Sequence, residues 1–208
     1  MKKYISTIIL FTAIVSVFLI STVITDKQNI IIADSHTSQK TGLVKSVSET
    51  IDEIKSSNGT FVPVDILSVD KNQTVRNQIS KFVNNATILK IDEVKLSELY
   101  KANHNNISLK LKFDKGNTFD IYLKKVQLFE QDFSLKSIST GRQMTQQDYT
   151  PGIYYNGIIK GDSKSVAAIS IFENEVIGVI SNSEGNYNLG MNRTTADNKS
   201  YVLYNDAE

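Results

Sequence analysis

Beyond residue 105 the apolar side chains of this chain stop recurring at helical spacing and begin to alternate, which restricts the second half to β-structure. Ile107, Leu109, Leu111 and Phe113 alternate with Ser108, Lys110 and Lys112. Asp114-Lys115-Gly116-Asn117 then turns the chain, and Phe119, Ile121 and Leu123 alternate again. Successive strand side chains point to opposite faces, so this period of two predicts a hairpin with one buried face. Further strands are predicted at Ile153 to Lys160, Val166 to Phe172, Val176 to Ser181, Tyr187 to Gly190 and Tyr201 to Tyr204. Short turns such as Glu173-Asn174-Glu175 and Ser183-Glu184-Gly185-Asn186 separate them, a spacing that predicts a mainly antiparallel β-sandwich-like or bent sheet. Ser134 to Thr150 reads as the longest irregular connection, and Thr150-Pro151-Gly152 marks re-entry into the sheet.

The first half mixes helical and strand signals. Val44, Val47, Ile51 and Ile54 share one helical face and predict a helix over 43–55, ended by Asn58-Gly59. Phe61 to Ser68 reads as a strand, with Pro63 favouring an edge because proline cannot donate to a ladder. Val75, Ile79, Phe82 and Val83 predict a helix over 73–84, Ile88 to Ile91 a brief strand, and Leu96, Leu99 and Tyr100 a short third helix with Ser97 as its start signal. The expected fold is therefore α+β: a single domain over 43–206, with two or three short helices within 43–104 and a β-rich part over 105–206.

Ahead of this domain, Lys2 and Lys3 precede an apolar run from Tyr4 to Thr25 that ends at Asp26-Lys27. A basic start followed by an apolar stretch marks export, so the chain is expected to be secreted or held at the cell surface. The run of about 22 residues exceeds the usual signal core and reaches the length that spans a bilayer. Residues 1–25 thus read either as a cleaved signal or as a retained anchor helix, and 26–42 as a polar linker. Membrane contact is expected only through residues 4–25, if they are uncleaved.

Composition removes whole classes of chemistry. With no cysteine, the chain has no disulfide, thiolate metal site or thiol nucleophile. Its two histidines, His36 in a polar stretch and His104 in the turn Asn103-His104-Asn105-Asn106, stand in unrelated contexts and read as solvent-exposed. Lys and Arg number 23 against 22 Asp and Glu, so no basic excess points to nucleic acid. Asp52-Glu53 and Asp92-Glu93 are sequence neighbours, which seldom face each other, and read as solvated helix surface or turn. A phosphate-binding Gly-x-x-x-x-Gly-Lys-Ser/Thr loop is missing. Asn58, Asn72, Asn85, Asn106, Asn192 and Asn198 start Asn-x-Ser/Thr triplets, which an asparagine-rich chain produces by chance. These residues nominate no catalytic, cofactor-binding or metal-ligating group, and an exported chain of this kind is expected to act by folding and binding.

The order of motifs in the second half carries a resemblance. Tyr154-Tyr155-Asn156-Gly157-Ile158-Ile159-Lys160-Gly161 is followed by Ser165-Val166-Ala167, then Gly178-Val179-Ile180, then Tyr187-Asn188-Leu189. This series, over about residues 105–206, resembles the propeptide domain of reprolysin/ADAM-type secreted zinc metalloproteases. The hairpin from Ile107 to Phe129 with Phe133 after it fits the same pattern, and Thr150-Pro151-Gly152 with Leu203-Tyr204-Asn205-Asp206 looks like the bacterial version. The motif positions are Tyr154, Tyr155, Gly157, Gly161, Ser165, Gly178 and Tyr187. Read for their physics alone, the glycines permit bulges, tight turns or close backbone approach, and the aromatics are sheet packing.

The resemblance implies a prodomain that assists folding of a zinc endopeptidase and keeps it latent. Its partners would be the protease's catalytic domain, in cis, and an activating protease. Zinc would belong to that catalytic domain, absent here, since neither histidine lies in a His-Glu-x-x-His motif. The chain would then be the N-terminal piece of a precursor, ending at the junction near Glu208, or a free-standing prodomain-like protein. It departs from animal members, which carry cysteines near the positions of Ile153 and Phe172 and another that blocks the zinc. Latency here would rest on bulk docking, or on a carboxylate such as Asp206 reaching the metal. A surface-anchored binding or adhesion module is the alternative reading.

Overall fold

Among the described residues, three short helices begin where a polar side chain satisfies the first free backbone amides. The computed structural model describes residues 45–130, 133–138, 144–193 and 200–207; the leader over 1–25, the linker over 26–42 and His36 lie outside them. Helix α1 (Val47–Ser56) opens on a reciprocal cap: Ser46 Oγ accepts from the Glu49 amide at 3.1 Å, and the Glu49 carboxylate accepts from the Ser46 amide at 2.7 Å. Bonding to the Ser46 backbone holds the Glu49 carboxyl below its usual range.

Strands β1 (Val62–Val64) and β2 (Leu67–Val69) replace the single strand expected over 61–68, because the chain breaks its pairing at Asp65-Ile66. Helix α2 (Gln73–Ile79), capped by Asn72, stops well short of residue 84. Asn85 takes the left-handed conformation, φ 52°, and turns the chain into β3 (Thr87–Ile91), which leaves Phe82 in solvent instead of on a helical face. Helix α3 (Glu93–Ala102) starts at Asp92, whose carboxylate accepts from the Lys95 amide, and not at Ser97. The pair Asp92-Glu93 therefore has a local role: one caps the helix, and the other places negative charge in its first turn.

The alternating segments form β4 (Asn106–Lys112), β5 (Thr118–Val126), β8 (Ile153–Ile159), β9 (Val166–Ile171), β10 (Val176–Asn182), β11 (Gly185–Met191) and β12 (Ser200–Asn205). Two strands stand where an irregular connection is expected: β6 (Leu135–Ile138) and β7 (Met144–Gln147) pair with each other as a separate ribbon. Weak apolar alternation in these four-residue stretches hides them from a pattern reading.

All other strands join one ten-stranded sheet in the order β1-β4-β5-β8-β9-β10-β11-β12-β3-β2. Its two edge strands are chain neighbours, separated only by Asp65 and Ile66. Following the pairings around the sheet shows that β1 and β2 run in the same direction, β1 parallel to β4 and β2 antiparallel to β3. They are two halves of one kinked strand that pairs first with one edge and then with the other. The sheet consequently curls back on itself, as an edge-free closure demands. At this seam Lys112 Nζ lies 2.8 Å from Asp65, the Asp114 amide donates to Thr87 Oγ1 at 3.3 Å, and Arg76 pairs with Asp114.

The curled sheet encloses the main core. Ile107, Leu109 and Leu111 of β4, Ile121 and Leu123 of β5, Tyr155 of β8, Ile169 of β9, Ile180 of β10, Leu189 of β11 and Leu203 of β12 are buried in one cluster. Leu96 and Leu99 of α3 close one end of it, while Phe113, Phe119 and Tyr187 meet edge to face at the other, their centroids 4.8–5.6 Å apart. Outside the sheet, α1 covers β8 and β5 through the fully buried Ile51. A second small cluster buries Val75 and Ile79 of α2 against Ile88 and Val202.

Candidate functional site

The seven motif positions lie in or beside consecutive strands of the sheet, but they do not converge on one site. Tyr155 points inward, is 1% exposed, and donates to the main-chain oxygen of His104 at 2.7 Å. Burial pushes its phenol up to about 12. Gly157 also faces inward, where an added Cβ would lie 1.9 Å from the Tyr122 main-chain oxygen, so only glycine lets β5 and β8 approach this closely. Gly178 lies under Ile169 Cδ1, and Gly161, at φ 88°, makes the turn after β8. Ser165 is buried: its hydroxyl donates to the Asp162 oxygen at 2.7 Å and accepts from the Ile159 amide at 2.8 Å. The Tyr187 hydroxyl donates to Glu184 at 2.7 Å. These residues build the sheet, and their chemistry is spent within the domain. Asp206 is held likewise, accepting from the Asn186 amide and side chain at 3.2 and 3.1 Å.

Two shallow grooves flank β1. One runs between β1 and α3, past Pro63, Asp65, Lys95, Glu98 and His104; the other lies along β4 and β5 beside Phe61, Lys110 and Tyr122. Asp65 is already paired with Lys112. Among the described residues no group of three or more His, Asp or Glu side chains is placed to hold a metal ion.

Tyr154, the remaining motif residue, points away from the core and begins a different feature. Its ring packs edge to face on Phe129 at 5.7 Å and on Phe172 at 6.3 Å. Phe129 in turn stacks on Phe133 at 4.3 Å and meets Tyr149 at 5.8 Å, and the Tyr149 and Tyr154 hydroxyls lie 2.9 Å apart. Partial burial, then the bond to Tyr154, hold the Tyr149 phenol above its ordinary value. Tyr100 of α3 donates to the Pro151 oxygen at 3.0 Å. Together these rings form a collar that fastens both ends of the excursion between β5 and β8 to the sheet.

From that collar the β6–β7 ribbon projects with every residue of both strands exposed. Six of the ten exposed large apolar side chains among the described residues fall between Leu128 and Tyr149. Ile138 and Met144, a direct cross-strand pair, are 70% and 67% exposed. A two-stranded ribbon without a packed face is marginal in water, and this concentration of bare apolar surface makes the ribbon a candidate contact surface. Leu135, Ile138 and Met144 escaped the sequence reading because exposure, not residue type, distinguishes them; Phe133 entered it only through the resemblance and Leu128 only as part of the hairpin. The available signal was the isolated apolar residues inside a segment that otherwise reads as polar loop.

No protein-family model matches the chain, and no curated protein matches it.

Proposed function

We propose that this chain is a non-catalytic, exported cover domain of the metalloprotease-prodomain kind. It assists folding of a zinc endopeptidase and holds it latent until a second protease removes it. The observation that supports this reading is the arrangement of the motif-bearing strands. β8, β9, β10, β11 and β12 are consecutive neighbours in one sheet, and of the resemblance residues Tyr155, Gly157, Gly161, Ser165 and Gly178 shape it from within. With those residues engaged internally, the domain has only its outer surface to offer, which suits bulk docking over a metal cleft. The zinc would be held by the protease.

Two experiments test the reading. The reading frame beyond the codon for Glu208 is expected to encode His-Glu-x-x-His within a couple of hundred residues. Titration of the purified chain into a reprolysin-type endopeptidase at micromolar concentration is expected to lower its activity; unchanged activity overturns the cover function.

The projecting ribbon favours a second reading, a surface-held binding module without a protease. A stop codon directly after Glu208 with no protease encoded nearby, together with no inhibition, selects it.

A further inference from the structure

We propose that the groove along β1, β4 and β5 binds an acidic saccharide, recognised by its ring hydroxyls and a carboxylate. The site uses neither the motif residues nor the β6–β7 ribbon, so it stands or falls apart from the cover function.

Strand register builds the site. Pro63 of β1 pairs with Ser108 of β4, which pairs with Tyr122 of β5, so these three side chains stand in one row on the outer face of the sheet, opposite to the buried Ile107, Leu109 and Ile121. In the next row Lys110 lies across from Asp120, and the Lys160 amide donates to the Asp120 main-chain oxygen at 2.7 Å, which brings a second lysine alongside. Phe61 packs on the Tyr122 ring with centroids 4.7 Å apart, and the Lys55 and Lys160 amines lie 4.6 and 6.0 Å from that ring's centre. Elsewhere on the sheet polar side chains are spent on one another, as Lys112 is on Asp65 and Ser165 on the Asp162 oxygen. Here they are not. Among the described residues, the Ser108 hydroxyl, the Lys110 amine, the Asp120 carboxylate and the Tyr122 hydroxyl line the groove and make no hydrogen bond or ion pair within the domain.

Donors, acceptors and ring edges in one open groove select the ligand by its chemistry. A phosphate chain has no donor to offer Asp120 and is repelled by it, and a simple amine is repelled by Lys110. An extended peptide would bring N–H and C=O groups that this surface cannot pair, because β4 is bonded to β1 and β5, and β5 to β4 and β8. A saccharide has no such backbone to satisfy. Its hydroxyls donate to Asp120 and exchange hydrogen bonds with Ser108 and Tyr122, while its C–H face lies on Pro63 and Phe61. Charge then favours an acidic one. Lys55 is matched by Asp52 and Lys112 by Asp65. Lys110, Lys124 and Lys160 remain against Asp120 and Asp162, and the Asp162 carboxylate already accepts from the amides of Lys164 and Ser165. The surplus amine is satisfied by a carboxylate on the ligand through a charge-assisted bond. The groove is shallow, so binding is weak and depends on several such contacts acting together.

Calorimetric titration of the full-length chain with hexagalacturonic acid is expected to show saturable binding at millimolar ligand, and maltohexaose, a neutral oligosaccharide, to bind several-fold more weakly. Lys110→Glu changes an exposed side chain and is expected to weaken hexagalacturonate binding several-fold, whereas Lys90→Glu, on β3, leaves it unchanged. A footprint on the unsubstituted chain needs no variant. Acetylation with and without hexagalacturonate, read by mass spectrometry, is expected to show Lys110 and Lys160 shielded and Lys90 untouched. Absence of saturation overturns the proposal, as does shielding confined to lysines outside the groove or undiminished binding by Lys110→Glu. Equal affinity for maltohexaose overturns the choice of an acidic ligand. Tighter binding of an oligothymidylate at the same lysines would assign the groove to single-stranded nucleic acid and overturns the saccharide.

Discussion

The phenol of Tyr155 donates a 2.7 Å hydrogen bond to the main-chain oxygen of His104, so the inward tyrosine of β8 ties the turn between α3 and β4 to the core. Because this phenol is buried, it ionises at about 12 in the folded protein, against 10.0 ordinarily. Between those two values the unfolded chain has lost the proton and the folded chain has not. Stability from this group is therefore complete below pH 10 and falls as the pH rises towards 12, by about 2–3 kcal/mol. Tyr155→Phe is expected to cost about 1 kcal/mol at pH 8 through the lost hydrogen bond, and to flatten the alkaline decline. Urea midpoints at pH 8 and pH 11 check both.

Three glycines of the sheet should rank by what a methyl group meets. Gly157→Ala sets Cβ 1.9 Å from a main-chain oxygen, which cannot rotate away, and is expected to cost about 3 kcal/mol. Gly178→Ala meets the terminal Cδ1 of Ile169 at 2.4 Å, a flexible end, and should cost about 1 kcal/mol. Gly190→Ala meets nothing within 4 Å and should stay within about 0.5 kcal/mol of the parent. Chemical denaturation of the three variants gives the order; Gly190→Ala as the worst would refute it.

The strands were legible because each of Ile107, Leu109, Leu111, Ile121 and Leu123 obeys the period that a one-sided buried sheet imposes. Closure was not. Nothing local in Val62 to Val69 reveals that its first three residues pair with β4 and its last three with β3, since both pairings are long-range. The same limit applied at the collar. Phe129, Phe133, Tyr149 and Tyr154 are separated by a ribbon in sequence and meet only in space. Tyr154 and Tyr155 illustrate the mixture: adjacency in a strand fixes that they face opposite ways, but not that one anchors a turn and the other a collar.

The seam offers a test of how the sheet is held shut. Arg76 and Asp114 form a half-buried pair, at 31% and 25% side-chain exposure, whereas Lys112 and Asp65 stand at 40% and 52%. Solvent screening weakens the second pair. A double-mutant cycle on Arg76→Ala and Asp114→Ala is expected to give a coupling of about 1 kcal/mol, and one on Lys112→Ala and Asp65→Ala less than about 0.5 kcal/mol. Equal couplings would mean that the exposed pair shares in closure.

Exposure at the ribbon and burial in the core make opposite demands on the same substitution. Ile138→Asp with Met144→Asp places charges where the parent side chains are already 70% and 67% in solvent. No core contact is lost, so the melting temperature should change by no more than a degree or two. Ile169→Asp buries a carboxylate at a position that is 1% exposed, packed above Gly178 and paired with Tyr155, and should abolish the folded state. Thermal melts followed by circular dichroism compare the two. Unfolding of the ribbon double variant would show that Ile138 and Met144 hold the domain together, and would remove the reason to regard them as a contact surface.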